Sequence, residues 1–269
     1  MITVSDVSLN FSGQNLFTHV NLQFTPGNCY GVIGANGAGK STFLRILSGD
    51  LEPSSGEVAI DPKTRMSVLR QDHFAYDDQT VLDTILQGNP RLFEIMQQKD
   101  ALYAKEDFSE EDGVLASELE GEFAELNGWE AETEAGRILQ GLGLSQDLLY
   151  EPMGGLADRD KVKILLARAL FGQPDIILLD EPTAFLDLPN RYELASLLRR
   201  LARDEGKCIL FSTHDLDIAL SLCDAVALID TPSLHLLPAG AMARSGLIER
   251  LFAGESARFD PETRTVKLR

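Results

Sequence analysis

The stretch from Gly34 to Ser41 constrains the fold more than any other part of the chain. It reads Gly-Ala-Asn-Gly-Ala-Gly-Lys-Ser, follows the apolar run Cys29–Ile33 and opens the amphipathic run Ser41–Leu47. A strand that turns into a helix through the pattern G-x-x-x-x-G-K-[ST] directs backbone N–H groups and the positive end of the helix at a phosphate. The sequence therefore predicts a triphosphate-binding loop, in which Lys40 reaches the β- and γ-phosphates and Ser41 ligates Mg²⁺.

Strands and helices alternate along most of the chain, which predicts an α/β fold. Three short apolar runs have the continuous character of strands buried on both faces: Asp175–Glu181, Cys208–Phe211 and Ala225–Ile229. Helical patterns separate them, so we expect a P-loop core with a mostly parallel sheet that is covered on both faces. Before the phosphate loop, the strand-like runs Ile2–Leu9 and Leu16–Phe24 predict an antiparallel β subdomain.

The segment from Asp72 to Tyr150 has a different character. It contains 19 acidic and 4 basic residues, and its apolar residues recur at helical spacing. We expect about four helices and no strands there, forming an inserted all-helical subdomain. A solvated outer face is favoured over an acidic docking surface as the explanation of the charge. The predicted division is a nucleotide-binding core at 1–71 and 161–269, with the insertion at 72–160.

Charge and hydropathy narrow the functional classes. The formal net charge of −18 argues against direct, non-specific binding of nucleic acid. No apolar run approaches the ~20 residues that span a bilayer. The first residues, Met1–Ser5, lack the basic-then-apolar pattern of a signal peptide. We expect a cytoplasmic protein, which becomes peripheral at the inner face of the membrane if its partner is a membrane protein.

Two further strand ends carry chemistry that suits a triphosphate. Asp180 and Glu181 end an apolar strand. In a P-loop fold such an Asp holds Mg²⁺, usually through water, and the following acid can deprotonate an attacking water. His214 follows a separate buried strand. A lone histidine is usually structural, but ligands bind at the carboxyl ends of strands in open α/β sheets, so we expect His214 to contact the γ-phosphate or the water.

Together these motifs resemble the ATP-binding cassette (ABC) ATPases over the whole chain. The resemblance implies ATP and Mg²⁺ as cofactors, and adenine stacking on Phe11. It implies that Gln71 senses Mg²⁺ and water, and that the Asp187 loop communicates between two cassettes that close head-to-tail on two ATP molecules. The nucleotide-binding residues that it implies, besides Phe11, are Gly34, Asn36, Gly37, Ala38, Gly39, Lys40, Ser41 and Thr42.

The chain departs from the family at the signature that completes the partner's site, typically Leu-Ser-Gly-Gly-Gln. The corresponding residues here are Leu156, Ala157, Asp158, Arg159 and Asp160. The serine hydroxyl is missing, and Asp158 and Arg159 replace the glycines that let backbone approach a γ-phosphate. Asp158 repels that phosphate unless Arg159 offsets it. The departure predicts that a symmetric homodimer closes poorly over ATP, whereas ATP binding itself is unaffected.

Two subfamilies resemble different parts of the chain. Residues 1–182 resemble the first cassette of ABC-F proteins, the class that acts on ribosomes. Residues 183–269 resemble the ATP-binding subunit of bacterial iron–siderophore importers, through Leu186–Tyr192 and Thr213–Ala219. This pattern suggests a mosaic, natural or engineered, with a junction near Pro182. The ATP-site motifs draw on both parts and do not depend on the junction.

Two classes of function follow. The first is an enzyme that hydrolyses ATP to ADP and phosphate and couples cassette closure to a partner. The second is an ATP-gated binding module with little or no turnover, which the degenerate signature favours. A second cassette is the expected partner, either another copy of this chain or a different one. A ribosome and a membrane permease both remain open as the larger partner.

Overall fold

The chain forms two compact units in the computed structural model. The core unit comprises Met1–Gln71 and Pro174–Arg269, and the helical unit comprises Asp72–Gln173. The structure describes residues 1–11, 13–70, 76–184, 186–252 and 257–268, without the side chains of residues 11, 14, 257 and 268.

The secondary-structure elements follow one another in the order expected of an α/β protein with a helical insertion. The strands are β1 (Ile2–Phe11), β2 (Gln14–Phe24), β3 (Asn28–Gly34), β4 (Ser55–Ile60), β5 (Met66–Leu69), β6 (Ile176–Leu179), β7 (Cys208–Ser212), β8 (Ala225–Asp230), β9 (Ser233–Pro238), β10 (Ala257–Asp260) and β11 (Thr265–Leu268). The helices are α1 (Lys40–Leu47), α2 (Val81–Leu86), α3 (Pro90–Tyr103), α4 (Glu110–Glu125), α5 (Ala131–Gly141), α6 (Asp158–Leu170), α7 (Leu188–Asp204), α8 (Leu216–Leu222), α9 (Ala239–Arg244) and α10 (Leu247–Leu251).

A six-stranded sheet organises the core unit. Its strand order is β5-β6-β7-β3-β8-β9. All neighbouring pairs are parallel except β8 and β9, which are antiparallel. The carboxyl ends of β3, β6 and β7 therefore lie at the same edge of the sheet. This edge is where ligands bind in open α/β sheets.

The sheet is buried on both faces because its strands are apolar at successive positions. Every residue of β6 and β7 is buried. On one face, alternate residues of the central strands pack with α1 and with the strands β1 and β2. On the other face, Ile33 of β3 and Val226 and Leu228 of β8 pack with α8, α9 and α10. Since side chains alternate between the faces of a strand, continuous burial requires a cover on each side.

Two smaller antiparallel sheets complete the core unit. The first has the order β2-β1-β4, and the second pairs β10 with β11. The first sheet matches the antiparallel β subdomain that the N-terminal pattern predicts.

Side-chain caps start helices α2, α3 and α4 of the helical unit. Thr80 accepts a hydrogen bond from the backbone of Asp83 at the start of α2. Asn89 caps α3 ahead of Pro90, and Ser109 forms a capping box with Asp112 on α4. Such caps satisfy backbone N–H groups that a helix leaves unpaired at its start. Within the unit, α2 packs against α5 and α6, and α3 packs against α4.

The observed fold confirms the predicted architecture and changes some boundaries. Helix α6 begins at Asp158, inside the run that corresponds to the signature. Its contacts with α2 and α5 group residues 161–173 with the helical unit, whereas the sequence-based division assigned them to the core. Helix α9 was not predicted. In the ranges that the structure describes, no helix is both long and apolar enough to cross a membrane.

Candidate active site

The loop between β3 and α1 has the backbone geometry of a phosphate cradle. Gly37 and Gly39 adopt φ values of 77° and 98°, in a region that disfavours residues with a Cβ. Gly39 has a second constraint, because a Cβ there would lie 2.8 Å from Cδ2 of Leu16. Backbone conformation therefore favours glycine at both positions, and close packing adds a second requirement at Gly39 alone. Asn36 is exposed, while Ala38 and Thr42 are half-buried in the loop and the first turn of α1.

Lys40, the first residue of α1, is buried at the centre of this loop. Its Nζ donates to the carbonyl oxygens of Gly34 at 3.3 Å and Ala35 at 3.4 Å, and lies 3.5 Å from Nδ1 of His214. Burial lowers the pKa of Lys40, and the nearby carboxylates of Glu181 and Asp180 oppose that shift. The ammonium group thus lies in an enclosed site beside the loop, where a phosphate can replace its carbonyl partners.

Asp180 connects the loop to the ends of two strands. The hydroxyl of Ser41 donates to Oδ1 of Asp180 at 3.0 Å, and the hydroxyl of Ser212 donates to the same oxygen at 2.7 Å. Ser41 opens α1, Asp180 follows β6 and Ser212 ends β7. A hydroxyl beside a carboxylate is a set of hard oxygen donors of the kind that Mg²⁺ prefers. The residues present therefore fit a nucleotide-bound magnesium ion.

Glu181 lies next to this oxygen cluster in a strained conformation. Its φ of 49° is in the left-handed region, which is uncommon for a non-glycine residue. The backbone N–H of Glu181 donates to Oγ of Ser212 at 2.8 Å, which helps to hold the turn. Backbone strain of this kind concentrates at functional sites. The turn aims the Glu181 carboxylate at His214 rather than into the sheet.

His214 bridges the lysine and the glutamate. Its Nε2 is 2.6 Å from Oε1 of Glu181, and its Nδ1 faces Nζ of Lys40. These two contacts fit the neutral tautomer with the proton on Nε2, because Lys40 donates to Nδ1 and Nε2–H donates to the carboxylate. The sequence placed His214 near the γ-phosphate or the attacking water. The structure brings it together with both Lys40 and Glu181.

Two residues of this site were not found by sequence reasoning. Ser212 bridges Asp180 and Glu181, as described above. Arg191 donates from Nε to the carbonyl oxygen of Leu186 at 2.6 Å, and from Nη1 to Asp215 at 3.0 Å. Arg191 thereby ties the loop after β6 to the residue that follows His214. The position of Ser212 at the end of a buried strand was a usable signal, whereas Arg191 lies within an ordinary amphipathic helix.

The structure shows no nucleotide-site contact for three predicted site residues among the parts of the chain that it describes. The carboxylate of Asp187 accepts from the backbone N–H of Asn190 at 3.1 Å and caps α7, so it has a structural contact here. Gln71 lies outside the described residues. Phe11 lies in β1, and its side chain is outside the description. The roles of Gln71 with Mg²⁺ and of Phe11 with adenine stay predictions.

The run at the position of the signature forms the start of α6 in the helical unit. Ala157 precedes the helix without a side-chain cap, and Asp158 and Asp160 lie in its first turn. The guanidinium of Arg159 lies 3.4 Å from the carboxylate of Asp160. A helix N-terminus attracts anions, but two carboxylates in the first turn already satisfy that preference. Leu156 is half-buried just before the helix.

The comparisons with known proteins agree with this geometry. The family model described as ABC transporter matches residues 17–184. The chain is 52% identical over 236 residues to the uncharacterized ABC transporter ATP-binding protein YkpA of Bacillus subtilis, a match that covers 88% of this chain and 43% of YkpA. This chain belongs to the ABC transporter family. It is an ABC ATPase cassette by sequence and by fold.

A solved structure is similar to the cassette in fold, and a second relative is similar to it in sequence. The structure of MJ1267, an ATP-binding cassette of an ABC transporter, superposes with a TM-score of 0.73 at 20% identity and covers 94% of this chain and 99% of that one. The probable ATP-binding protein YbiT of Escherichia coli O157:H7 is 41% identical over 88% of this cassette and 44% of YbiT. The cassette therefore spans less than half the length of YkpA and of YbiT.

More distant relatives include an ABC-F protein and an importer protein, the two classes to which the sequence was compared. ABC transporter F family member 4 of Arabidopsis thaliana is 30% identical over 87% of the cassette and 32% of that protein, and the zinc import ATP-binding protein ZnuC of Pseudomonas syringae is 31% identical over 86% of the cassette and 73% of ZnuC. An ABC-F family member and an importer ATPase are thus both among its relatives, whereas the iron–siderophore type stays a prediction. The YkpA match of 236 residues is longer than the ABC-F-like segment 1–182, so it crosses residue 182. The mosaic origin stays a prediction.

Proposed function

We propose that this cassette binds Mg-ATP at the phosphate loop, hydrolyses it to ADP and phosphate, and couples cassette closure to a partner. One observation carries the proposal: five polar side chains meet at one edge of the core sheet, namely Lys40, Ser41, Asp180, Glu181 and His214. Hydrogen-bond contacts join Lys40 to His214, His214 to Glu181, and Ser41 to Asp180, and Ser212 links Asp180 to the backbone of Glu181. A cation, two metal-binding oxygens and a carboxylate–histidine pair are the parts that phosphoryl transfer to water requires.

Each residue has a role that follows from its place. The N–H groups of the loop and the ammonium of Lys40 hold the β- and γ-phosphates. Ser41 and Asp180 would hold the magnesium ion, which neutralises charge on the phosphates when it is bound. Glu181 orients a water molecule and accepts its proton as the water oxygen bonds to the γ-phosphorus. His214 positions the Glu181 carboxylate through the contact at 2.6 Å. The bond to the β,γ-bridging oxygen breaks, and ADP leaves.

The sequence-based roles of the remaining site residues belong to the same proposal. Phe11 stacks on adenine, and Gln71 senses the metal ion and the water. Asn36, Ala38 and Thr42 belong to the loop and the helix turn around the phosphates. The loop at Asp187 communicates with a second cassette. The family membership of the chain supports these assignments, since each position matches a motif of that family.

ATP turnover tests the proposal directly. Replacing Glu181 by Gln should lower the rate of phosphate release by about 10² to 10⁴-fold, because an amide cannot accept the proton from water. The variant Glu52→Gln is the matched control, since Glu52 is an exposed acid of the same unit. If the wild type releases phosphate no faster than Glu181→Gln, the hydrolase proposal fails.

A second candidate function is an ATP-gated binding module with little turnover. The first turn of α6 favours it, because Asp158 and Asp160 lie at the helix N-terminus that a partner cassette would present to the γ-phosphate. Carboxylates there repel the phosphate and slow closure. The rate of phosphate release by the wild type, compared with Glu181→Gln, separates the two functions. ATP-dependent dimerisation of Glu181→Gln, followed by light scattering, tests the argument from the carboxylates. A stable ATP-bound homodimer would show that these carboxylates do not prevent closure.

The larger partner is proposed from the relatives alone. A second cassette is the first partner, supplied by another copy of this chain or by a different chain. Beyond it, a ribosome is supported by the likeness to an ABC transporter F family member, and a membrane permease by the likeness to a zinc import ATP-binding protein. In either case we place the cassette in the cytoplasm, at the membrane when the partner is a permease. Co-sedimentation with ribosomes, with and without ATP, distinguishes them.

A further inference from the structure

Exposed apolar side chains are distributed unevenly over the described residues. Nine large hydrophobic residues are exposed, and six of them lie in the helical unit: Tyr103, Phe108, Val114, Leu115, Trp129 and Tyr150. Every exposed aromatic residue in that set belongs to the helical unit. Trp129, the single tryptophan of the chain, is the most exposed of all at 69%. Exposed hydrophobic groups that cluster in this way mark interaction surfaces.

Three of these aromatics belong to one connected strip: Tyr103 ends α3, Phe108 lies between α3 and α4, and Trp129 lies in the turn after α4. The rings of Tyr103 and Phe108 are stacked, with centroids 6.3 Å apart and planes 4° from parallel. The hydroxyl of Tyr103 donates to Glu120 at 3.1 Å. Trp129 packs edge-on against Phe123 with a centroid distance of 5.0 Å. We call Tyr103, Phe108 and Trp129 the aromatic strip.

A buried lysine links the two ends of the aromatic strip. Nζ of Lys99 lies 2.9 Å from Glu120, 3.8 Å from the centroid of Phe123 and 4.8 Å from that of Trp129. The lysine side chain is only 11% exposed, so it contacts the rings from the buried side of the helical unit. Cation–π contacts and hydrogen bonds of this kind hold rings in place. The aromatic strip is thus ordered before any partner arrives, which reduces the entropy lost on binding.

The charge around the aromatic strip is negative. The exposed acids that flank its rings along the chain are Glu106, Asp107, Glu110, Glu111, Glu125 and Glu130. The nearby Lys105 is engaged with Asp112 at 2.6 Å. Hydrogen bonds from Lys99 and Tyr103 lower the pKa of Glu120, so it stays ionised at neutral pH. A ligand for this surface must therefore tolerate, or use, the neighbouring carboxylates.

We propose that the aromatic strip docks an arginine-rich protein segment. A guanidinium group stacks on aromatic faces and pairs with carboxylates in the same contact, which lysine does less well. The same acids repel phosphates, which disfavours single-stranded nucleic acid and anionic lipid even though bases stack on aromatic rings. The aromatic strip lies in the helical unit and requires no step of ATP hydrolysis.

Trp129 supplies a direct readout, because it is the only tryptophan of the chain. The probe is a synthetic peptide of alternating arginine and alanine, titrated into the full chain while tryptophan fluorescence is recorded. A lysine–alanine peptide of equal length and charge is the comparison. We expect saturable binding, with the arginine peptide several-fold tighter than the lysine peptide.

The decisive comparison is between two variants. Tyr103→Ala combined with Phe108→Ala keeps Trp129 and should weaken arginine-peptide binding about tenfold, as expected for the loss of two cation–π contacts. The matched control is Tyr150→Ala. Tyr150 is also an exposed tyrosine of the helical unit, and its hydroxyl is also hydrogen-bonded to a glutamate, Glu132, but it lies outside the aromatic strip. The control should bind like the wild type.

Several outcomes would overturn the proposal. Wild-type affinity in the double variant would mean that general acidity, not the aromatic strip, binds the peptide. Equal loss in the double variant and in Tyr150→Ala would mean that exposed aromatics in general, not the aromatic strip, contribute to binding. Tighter binding of a single-stranded oligonucleotide or of anionic vesicles would point to a different partner class. If circular dichroism shows that the double variant is unfolded, Phe108→Ala alone takes its place with the same expected direction. Lys40→Ala should bind the peptide normally, which separates this proposal from the ATP site.

Discussion

The core unit and the helical unit use the same kinds of side chain for opposite purposes. In the core, Phe17, Phe24 and Phe43 are fully buried and pack against one another. In the helical unit, Tyr103 and Trp129 face solvent. Aromatic side chains of the core thus pack beneath the phosphate loop, whereas exposed aromatic side chains of the helical unit are accessible to a partner. This difference is what we expect if the core unit binds nucleotide and the helical unit contacts a partner, as proposed above.

Charged groups show the same contrast. The core gathers Lys40, Asp180 and Glu181 at one sheet edge, where each has a partner inside the site. The helical unit spreads its acids over exposed helix faces, where solvent screens them. A charge in the first setting affects bound phosphate directly. A charge in the second affects which partner approaches.

The largest expected effect is on stability, and it tests whether packing aromatics and surface aromatics differ as described. Phe43→Ala should lower the free energy of unfolding by about 3–5 kcal/mol, because it empties a fully buried site between two other rings. Tyr103→Ala should leave the unfolding midpoint unchanged. Urea unfolding followed by circular dichroism measures both. Comparable losses in the two variants would break the contrast between the units.

A buried ion pair provides the next test within the helical unit. Nζ of Lys161 lies 2.7 Å from the carboxylate of Asp77, and the lysine is buried while 36% of the Asp77 side chain is exposed. Lys161→Met should cost about 1–3 kcal/mol, as expected for losing a charged hydrogen bond with a partly solvated partner. Arg159→Met, which changes an exposed cation of the same helix, is the control. Equal effects in thermal unfolding would contradict this account of α6.

The smallest expected effect is the loss of stabilisation at low pH when Asp112, in the first turn of α4, becomes protonated. Hydrogen bonds from Lys105 and Ser109 lower the pKa of Asp112 to about 2 from its usual 3.8. Because the folded pKa is depressed, the stabilisation is complete above pH 3.8 and is lost as the pH falls through about 2. A carboxyl titration by nuclear magnetic resonance should show this, and Lys105→Met should raise the value. Titration of Asp112 at its usual pKa in the wild type would contradict the capping box.

Much of the core could be predicted because its signals are local. The loop from Gly34 to Ser41 carries its glycine and lysine pattern within eight consecutive residues, and the burial of β6 is visible in its uninterrupted apolar run. The observed sheet order and parallel pairing confirm the predicted fold. The assignment of individual site residues to nucleotide contacts stays a prediction.

The parts that sequence reasoning missed depend on contacts between distant residues. Ser212 reaches Asp180 across 32 positions, and Arg191 reaches Asp215 across 24. Neither pairing leaves a pattern in the chain, since serine and arginine are ordinary residues at the end of a strand and on an amphipathic helix. Helix α9 was missed because Ala239–Arg244 is short and carries few apolar residues at helical spacing. The aromatic strip likewise becomes visible only when α3 and α4 are paired.

Equilibrium binding of Mg-ATP to Lys40→Ala tests most directly whether the loop before α1 is the ATP site. Isothermal titration calorimetry should show a loss of about 2–5 kcal/mol in binding free energy, as expected when an enclosed charge is removed from an ionic contact. Lys63→Ala, an exposed lysine of the same unit, should bind like the wild type. Unchanged affinity of a folded Lys40→Ala variant would contradict the assignment of the site.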